Sequence, residues 1–150
     1  MRMIGLDVGE KTVGIAMSDE LGIAANPVTI LKRTDSIRKD ISAIRQIAEA
    51  NEVNLAVVGL PLMMDGSEGI QVEKTLLFVA ELKRRTRLEV VTWDERLSTA
   101  EVERIMIAND QSRAKRKKVI DKLAAAVILQ GYMDRHRTSV YIDNESFDEE

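Results

Sequence analysis

The chain of 150 residues contains no cysteine and only one histidine, His136. The lack of cysteine excludes disulfides, thiolate nucleophiles and cysteine-ligated zinc, and it is typical of a reducing compartment. His136 lies in a polar stretch near the C-terminus, which disfavours a Ser-His-Asp triad or a zinc site with several histidines. If the protein is an enzyme, then carboxylates, hydroxyls, lysines or arginines must carry its chemistry.

Long apolar runs are also lacking, since none approaches the roughly 18 residues of a membrane span. The first apolar stretch is broken by Asp7 and Glu10, unlike a signal peptide. A length of 150 residues suits one domain but not comfortably two. We therefore expect a cytoplasmic protein without a membrane partner, with a single domain over 1–138 and an acidic, flexible tail over 139–150.

The net charge of −3 hides an uneven distribution of charged residues. Residues 143–150 hold five of the 25 acids and no base, so residues 1–142 carry 22 bases against 20 acids. Two dense basic clusters, at 83–87 and 113–118, are able to bind phosphates. The first is interpreted as a solvated helix end, where bases are common. The second is predicted to bind nucleic acid through Arg113, Lys115, Arg116, Lys117 and Lys118.

Hydrophobic periodicity predicts the secondary structure. Apolar runs predict strands over 2–8, 12–18 and 23–31, and Pro27 indicates that the third lies at a sheet edge. Isoleucines at helical spacing predict a helix capped by Asp35 or Ser36 and ending near Ala50. The remaining predicted elements are a strand over 54–60, a helix over 73–85, a strand over 88–93, and helices over 99–107 and 117–135. The helix over 73–85 is expected to offer the core Leu76, Leu77, Val79, Ala80 and Leu82, and the last helix is expected to bury Ile120, Leu123, Ala124, Val127 and Ile128.

The predicted element order is βββ-α-β-α-β-α-α. An antiparallel meander followed by two β-α crossovers implies a mixed sheet, and the crossovers must be right-handed. These conditions favour an α/β fold with a five-stranded sheet in the order 3-2-1-4-5. Strands 1–3 are antiparallel, helices cover both faces, and strand 1 lies in the centre beside strand 4.

Acidic residues follow three strands of this predicted sheet. Asp7 ends strand 1, Asp65 lies in the loop after strand 4, and Asp94 and Glu95 leave strand 5. Open sheets bind ligands at the carboxyl ends of their parallel strands, so these acids are expected at one rim. Such a cluster is repulsive unless a cation neutralises it.

Asp121, near the start of the last predicted helix, is a further candidate. Taken alone it could interact with the helix dipole, or pair with Lys118 or Lys122. Together with Asp7 and Glu95 it is better interpreted as part of the site. All-oxygen ligands select Mg²⁺ or Mn²⁺. Two such ions about 4 Å apart would suit phosphodiester hydrolysis, which needs no histidine.

Four motifs resemble the YqgF (RuvX) family, within the RNase H-like superfamily. They are Gly5-Leu6-Asp7-Val8-Gly9 with Gly14-Ile15-Ala16, Val58-Gly59-Leu60-Pro61 with Met64-Asp65-Gly66-Ser67, Asp94-Glu95-Arg96-Leu97-Ser98-Thr99, and the run 116–125 around Asp121. The resemblance implies an RNase H-like fold and a metal-dependent nuclease, with Asp7, Glu95 and Asp121 as metal ligands. The sequence departs from the family at Met63, where asparagine is usual, and at Ile70, where proline is frequent.

The resemblance also implies a substrate, the 5′ end of pre-16S rRNA in ribosome biogenesis. Pre-rRNA, with the pre-ribosomal particle as a partner, is favoured over branched DNA. The alternatives are a Holliday junction resolvase-like endonuclease and a non-catalytic RNA-binding assembly factor. An actin-like ATP-binding protein shares the Gly-x-Asp-x-Gly pattern, but it needs two such domains. A resolvase needs a symmetric dimer, whereas no extended apolar patch is evident, so a monomer or weak homodimer is expected.

Overall fold

The computed structural model describes residues 2–63, 65–95 and 123–136. Five strands form one sheet in the order β3-β2-β1-β4-β5, with β1–β3 antiparallel and β4 and β5 parallel to β1. The sheet order and the mixed pairing that the sequence predicts are therefore confirmed. Residues 123–136 are helical, and the other elements are β1 (Arg2–Val8), β2 (Thr12–Ser18), β3 (Ala25–Lys32), α1 (Ile37–Ala50), β4 (Val53–Leu60), α2 (Ile70–Arg85) and β5 (Glu89–Asp94).

Local sequence signals place most of these boundaries. β1 and β2 match their predicted ranges, whereas β3 begins two residues later than predicted. Pro27 lies in the edge strand β3, beside a register shift that accommodates its missing N–H. Ser36 rather than Asp35 caps α1, because its side chain accepts a hydrogen bond from the Lys39 backbone N–H at 3.3 Å. The predicted helix 99–107 lies outside the described residues.

The two faces of the sheet bury separate cores. Ile4, Leu6 and Val8 of β1 pack with α1 and α2 on one face. Residues 123–136 cover the other face, which is the face that Gly5 presents. Because side chains alternate along a strand, Asp7 shares the face of Gly5. Within the described ranges, no helix is long and apolar enough to cross a membrane.

The prediction for α2 is wrong in its start and in part of its buried face. The helix begins at Ile70 rather than at residue 73. Leu76 and Leu77 were expected in the core, but they are 38% and 66% exposed, and Ala80 is exposed as well. The buried face follows i, i+3, i+4 and i+7 spacing from Thr75, with Val72 one turn earlier, which leaves these three residues outside it. The buried residues of α2 are Val72, Thr75, Phe78, Val79 and Leu82.

The helix at 123–136 approaches the sheet closely. A Cβ built on Gly5 would lie 2.7 Å from both the Ala125 carbonyl oxygen and Leu129 Cβ, so the glycine makes the approach possible. The predicted stripe of Leu123, Ala124, Val127 and Ile128 is only partly right, and its first member, Ile120, lies outside the described residues. Ile128 is buried, the other three are half-buried, and the remaining buried residues are Ala125, Ala126, Leu129 and Met133.

A buried carboxylate joins the end of β3 to the start of α1. Asp40 is 2% exposed and accepts hydrogen bonds from Arg33 Nε at 3.1 Å, from the Thr34 N–H at 2.8 Å and from Thr34 Oγ1 at 2.9 Å. Burial alone would raise the pKa of Asp40, but these donors outweigh it and hold the pKa below its ordinary value. The ionised carboxylate therefore stabilises the fold.

Replacing Asp40 with asparagine should lower the free energy of unfolding by about 2 kcal/mol near neutral pH, since charged hydrogen bonds to a half-buried arginine are lost. A depressed pKa adds stability above the unfolded-state pKa, so this difference should shrink as the pH falls below about 4. Urea denaturation of both proteins near neutral pH and below pH 4 measures this difference in unfolding free energy. Glu49→Gln is the control, because Glu49 forms an exposed pair with Arg45 at 3.9 Å and its replacement should change stability little.

Candidate active site

Two carboxylates from distant parts of the chain meet at the central rim of the sheet. Asp7 lies near the carboxyl end of β1, and Glu95 directly follows β5. The Glu95 N–H donates to the Leu60 carbonyl at 3.2 Å, which ties the chain after β5 to the end of β4. Strand order alone therefore brings together residues that are 88 positions apart in sequence.

Glu95 is half-buried and hydrogen-bonded to Asp7. Burial, the negative charge of Asp7, the hydrogen bond to Asp7 and the charge of Asp94, in that order of size, together raise the pKa of Glu95 to about 7. The protonated Glu95 carboxyl donates to the Asp7 carboxylate. When both groups are ionised they repel each other in a partly desolvated place, which is unfavourable without a cation.

Gly59 provides the space in which the Glu95 side chain lies. A Cβ at this position on β4 would collide with Glu95 Oε1 and with Ile128 Cδ1. Sequence reasoning quoted Gly59 only as part of a motif and assigned it no role. A glycine inside a buried strand often marks a close approach of other atoms, and this signal could have identified it.

The turn after β1 is held from two sides. Arg33 Nη1 donates to the Gly9 carbonyl at 2.8 Å, and the Arg33 guanidinium also lies over the Phe78 ring at 5.2 Å. Lys74 of α2 pairs with Glu10 at 2.9 Å on the exposed side. The backbone that follows Asp7 is thus connected to β3, α1 and α2, which fixes the position of β1's end.

Other predicted site residues are placed differently or are not described. Asp65 is exposed, and its carboxylate accepts the Ser67 N–H at 2.9 Å within its own loop. Asp121 lies outside the described residues, as do the predicted nucleic-acid-binding residues Arg113, Lys115, Arg116, Lys117 and Lys118. Among residues 2–63, 65–95 and 123–136, no three acidic or histidine side chains form a group able to hold a metal ion.

Comparison with known families decides the relationship of the chain. The RuvX family model, described as Holliday junction resolvase, matches residues 1–135. The chain belongs to the RuvX family. The relationship that the four sequence motifs indicate is therefore confirmed, and it covers all described segments of the chain except residue 136.

Curated relatives of this RuvX chain carry the name "Putative pre-16S rRNA nuclease". One, from Desulforamulus reducens, is 51% identical over 134 residues, which cover 89% of this chain and 97% of the relative. Another, from Halalkalibacterium halodurans, is 49% identical over 138 residues, covering 91% and 99%. The match therefore extends over nearly the whole length of both relatives.

Solved structures of RuvC share the fold of this RuvX chain. The RuvC of Thermus thermophilus in complex with a Holliday junction substrate has a TM-score of 0.52 at 14% identity, covering 91% of this chain and 96% of RuvC. A second structure of Thermus thermophilus RuvC gives 0.51 at 12% identity, covering 92% and 97%. With the observed sheet order, this likeness confirms the predicted RNase H-like α/β fold.

Proposed function

We propose that this chain is a divalent-metal-dependent nuclease that processes the 5′ end of pre-16S rRNA. The observation that carries the proposal is the contact between Asp7 and Glu95 at the sheet rim. The name of the curated relatives supports pre-16S rRNA as the substrate. The proposed domain is 1–138, followed by an acidic tail over 139–150.

The chemistry of the two carboxylates fits a divalent cation. Both supply only oxygen donors, the preferred ligands of Mg²⁺ and Mn²⁺. The pKa of Glu95 is raised to about 7 by burial and by Asp7, and a cation removes the repulsion between the two ionised groups. Asp7 and Glu95 would hold the ion, with Asp121 as the third ligand by its motif. A bound ion would activate water and stabilise the leaving oxygen of the phosphodiester.

The protein's own residues position these ligands. Gly59 leaves the space that lets Glu95 reach Asp7, and the Glu95 N–H to Leu60 bond fixes where the side chain begins. The contact of Arg33 with Gly9 holds the turn that follows Asp7. The bases Arg113, Lys115, Arg116, Lys117 and Lys118 are proposed to hold the phosphates of the substrate.

A second candidate is cleavage of branched DNA, which the family description of Holliday junction resolvase favours. A junction resolvase must place two active sites on two strands, which requires a symmetric dimer. Processing of one RNA end needs a single site. The oligomeric state and the preferred substrate therefore distinguish the two functions.

The deciding experiment offers a pre-16S rRNA 5′ fragment and a four-way DNA junction side by side. Wild type should cleave the RNA in Mg²⁺ or Mn²⁺, and chelation should stop cleavage. Asp7→Asn should reduce the rate by at least about 100-fold, because it removes one charged ligand of the ion. Preferential cleavage of the junction would favour the second candidate, and an unaffected Asp7→Asn variant would refute the metal site.

A further inference from the structure

Two adjoining hollows lie on the α1 and α2 face, at the end of the sheet opposite to Glu95. The larger, of about 860 Å³, is bounded by the ends of both helices and by the starts of β4 and β5. The smaller, of about 370 Å³, continues along the two helices. The hollows share Arg45 and Arg85, so they form one groove.

Arginines dominate this groove, called here the arginine groove. Its lining includes Arg38 and Arg45 of α1, Arg84 and Arg85 of α2, and Arg87 just before β5. Only one lining residue, Glu49, is acidic. Glu81, at the side, pairs with Arg84 at 2.8 Å and with Arg85 at 2.7 Å. Within these two hollows and at their side, five positive charges thus face two negative ones, and a third hollow that shares Glu49 with the larger one adds Glu20 and Glu52 beyond the arginines.

Helix-end electrostatics explain only part of this cluster. Arg84 and Arg85 lie in the last turn of α2, where the helix dipole favours cations. Arg38 instead lies in the first turn of α1, where the dipole disfavours a cation. Arg38 and Arg87 are exposed, and neither forms an ion pair within the described part of the chain. These two charges are available to a ligand.

We propose that the arginine groove binds the sugar–phosphate backbone of the RNA substrate, at a distance from the cleavage site. The proposal rests on the proposed nuclease function and adds a second contact surface to it. Guanidinium groups match phosphate geometry with two parallel hydrogen bonds, and they lose little entropy on binding. Arginines that converge from two helices and a loop suit an extended polyanion.

The groove and the proposed cleavage site lie along the same edge of the sheet. β5 is an edge strand, with Arg87 and Leu88 before it and Glu95 after it. Leu88 and Glu95 are seven steps of about 3.3 Å apart along the strand, and the groove and Asp7 lie on opposite faces of the sheet, so the two sites are at least about 23 Å apart. An RNA that passes around the β5 edge can contact both sites, whereas a very short RNA cannot.

The test compares two double variants that lose the same charge. Arg38→Gln/Arg87→Gln removes two groove residues, whereas Lys39→Gln/Lys83→Gln removes two exposed bases of α1 and α2 that do not line the groove. Binding of a pre-16S RNA fragment of about 30 nucleotides is measured in EDTA over a range of salt. The groove variant should bind several-fold more weakly, with a salt slope shallower by about 1.4. The lysine variant should show less than half of that change.

Cleavage provides an independent readout. A dinucleotide is too short to join two sites that lie at least about 23 Å apart. All proteins should therefore cleave a dinucleotide at equal rates, while the groove variant should show a raised KM and an unchanged kcat on the long RNA. Thermal melts confirm that both variants are folded.

Several results would overturn the groove's assignment. Equal losses of RNA binding in both variants would mean that only overall charge matters. Weakened binding to phosphatidylserine vesicles or to a four-way DNA junction, with RNA binding intact, would assign the groove to another ligand. A wild type that cleaves no RNA in any divalent metal would refute the proposed function. The salt dependence of RNA binding by the two double variants would then still decide whether the arginine groove binds RNA.

Discussion

Replacing Glu95 with glutamine is expected to abolish cleavage and, at the same time, to stabilise the metal-free protein. The wild-type carboxyl is half-buried beside Asp7, and burial and that neighbour raise its pKa to about 7. Glutamine keeps the shape and a donor for the hydrogen bond to Asp7 but never ionises. The variant therefore avoids the cost of placing two negative charges together.

The sign of the pH dependence follows from proton binding. Between pH 4.5, the ordinary pKa of the group, and about 7, the folded protein keeps a proton that the unfolded chain has lost. Wild-type stability therefore falls as the pH rises through this window, by up to about 3 kcal/mol in total. Glu95→Gln should match wild type at low pH and exceed it by up to about 3 kcal/mol at about pH 8. Thermal melts in EDTA should show a difference of up to roughly 6–12 °C.

Addition of Mg²⁺ or Mn²⁺ should reverse this order. An ion that binds only the folded state stabilises it in proportion to the logarithm of its concentration. The wild type should gain melting temperature with the metal, and Glu95→Gln should gain little. Glu89→Gln, at the opposite end of β5, is the matched control and should keep the metal response. A Glu95→Gln variant that melts below wild type in EDTA near pH 8 would contradict the proposed environment of this carboxyl.

Sequence patterns predicted the sheet well because its strands are short apolar runs with clear boundaries. Pro27 marked the edge strand, and helices between parallel strands fixed the order of the rest. The expectation that Asp7 and Glu95 lie at one rim followed from that order, since they lie at the carboxyl ends of β1 and β5, which are separated only by β4. The location of a site that depends on strand order can be predicted from the sequence without knowledge of side-chain packing.

Properties that depend on side-chain packing could not be predicted from the sequence. Leu76 and Leu77 look like core residues in sequence, yet α2 packs through the face that carries Thr75 and Phe78, which leaves both leucines exposed. The raised pKa of Glu95 requires knowledge of how deeply its side chain is buried. The convergence of arginines from α1 and α2 requires the relative position of two helices that are separate in sequence.

Gly59→Ala is expected to reduce cleavage by about 100-fold with only a modest loss of stability, because displacement of a catalytic group by about 1 Å is enough for such a loss. The added methyl group would collide with Glu95 Oε1 and Ile128 Cδ1. Both are ends of flexible side chains, so they can move at small cost to the fold. When Glu95 moves, however, its carboxylate leaves Asp7 and the proposed pair of ligands is separated.

Gly5→Ala provides the contrasting variant. Its methyl group would meet the Ala125 carbonyl oxygen and Leu129 Cβ, both at 2.7 Å, and the backbone cannot move without shifting the whole helix. This variant should lose about 3 kcal/mol of unfolding free energy. Measured together by urea melts and metal-dependent cleavage, Gly59→Ala should be impaired mainly in cleavage and Gly5→Ala mainly in stability. If Gly59→Ala retained wild-type cleavage, Glu95 would not need its contact with Asp7, and the proposed ligand pair would be wrong.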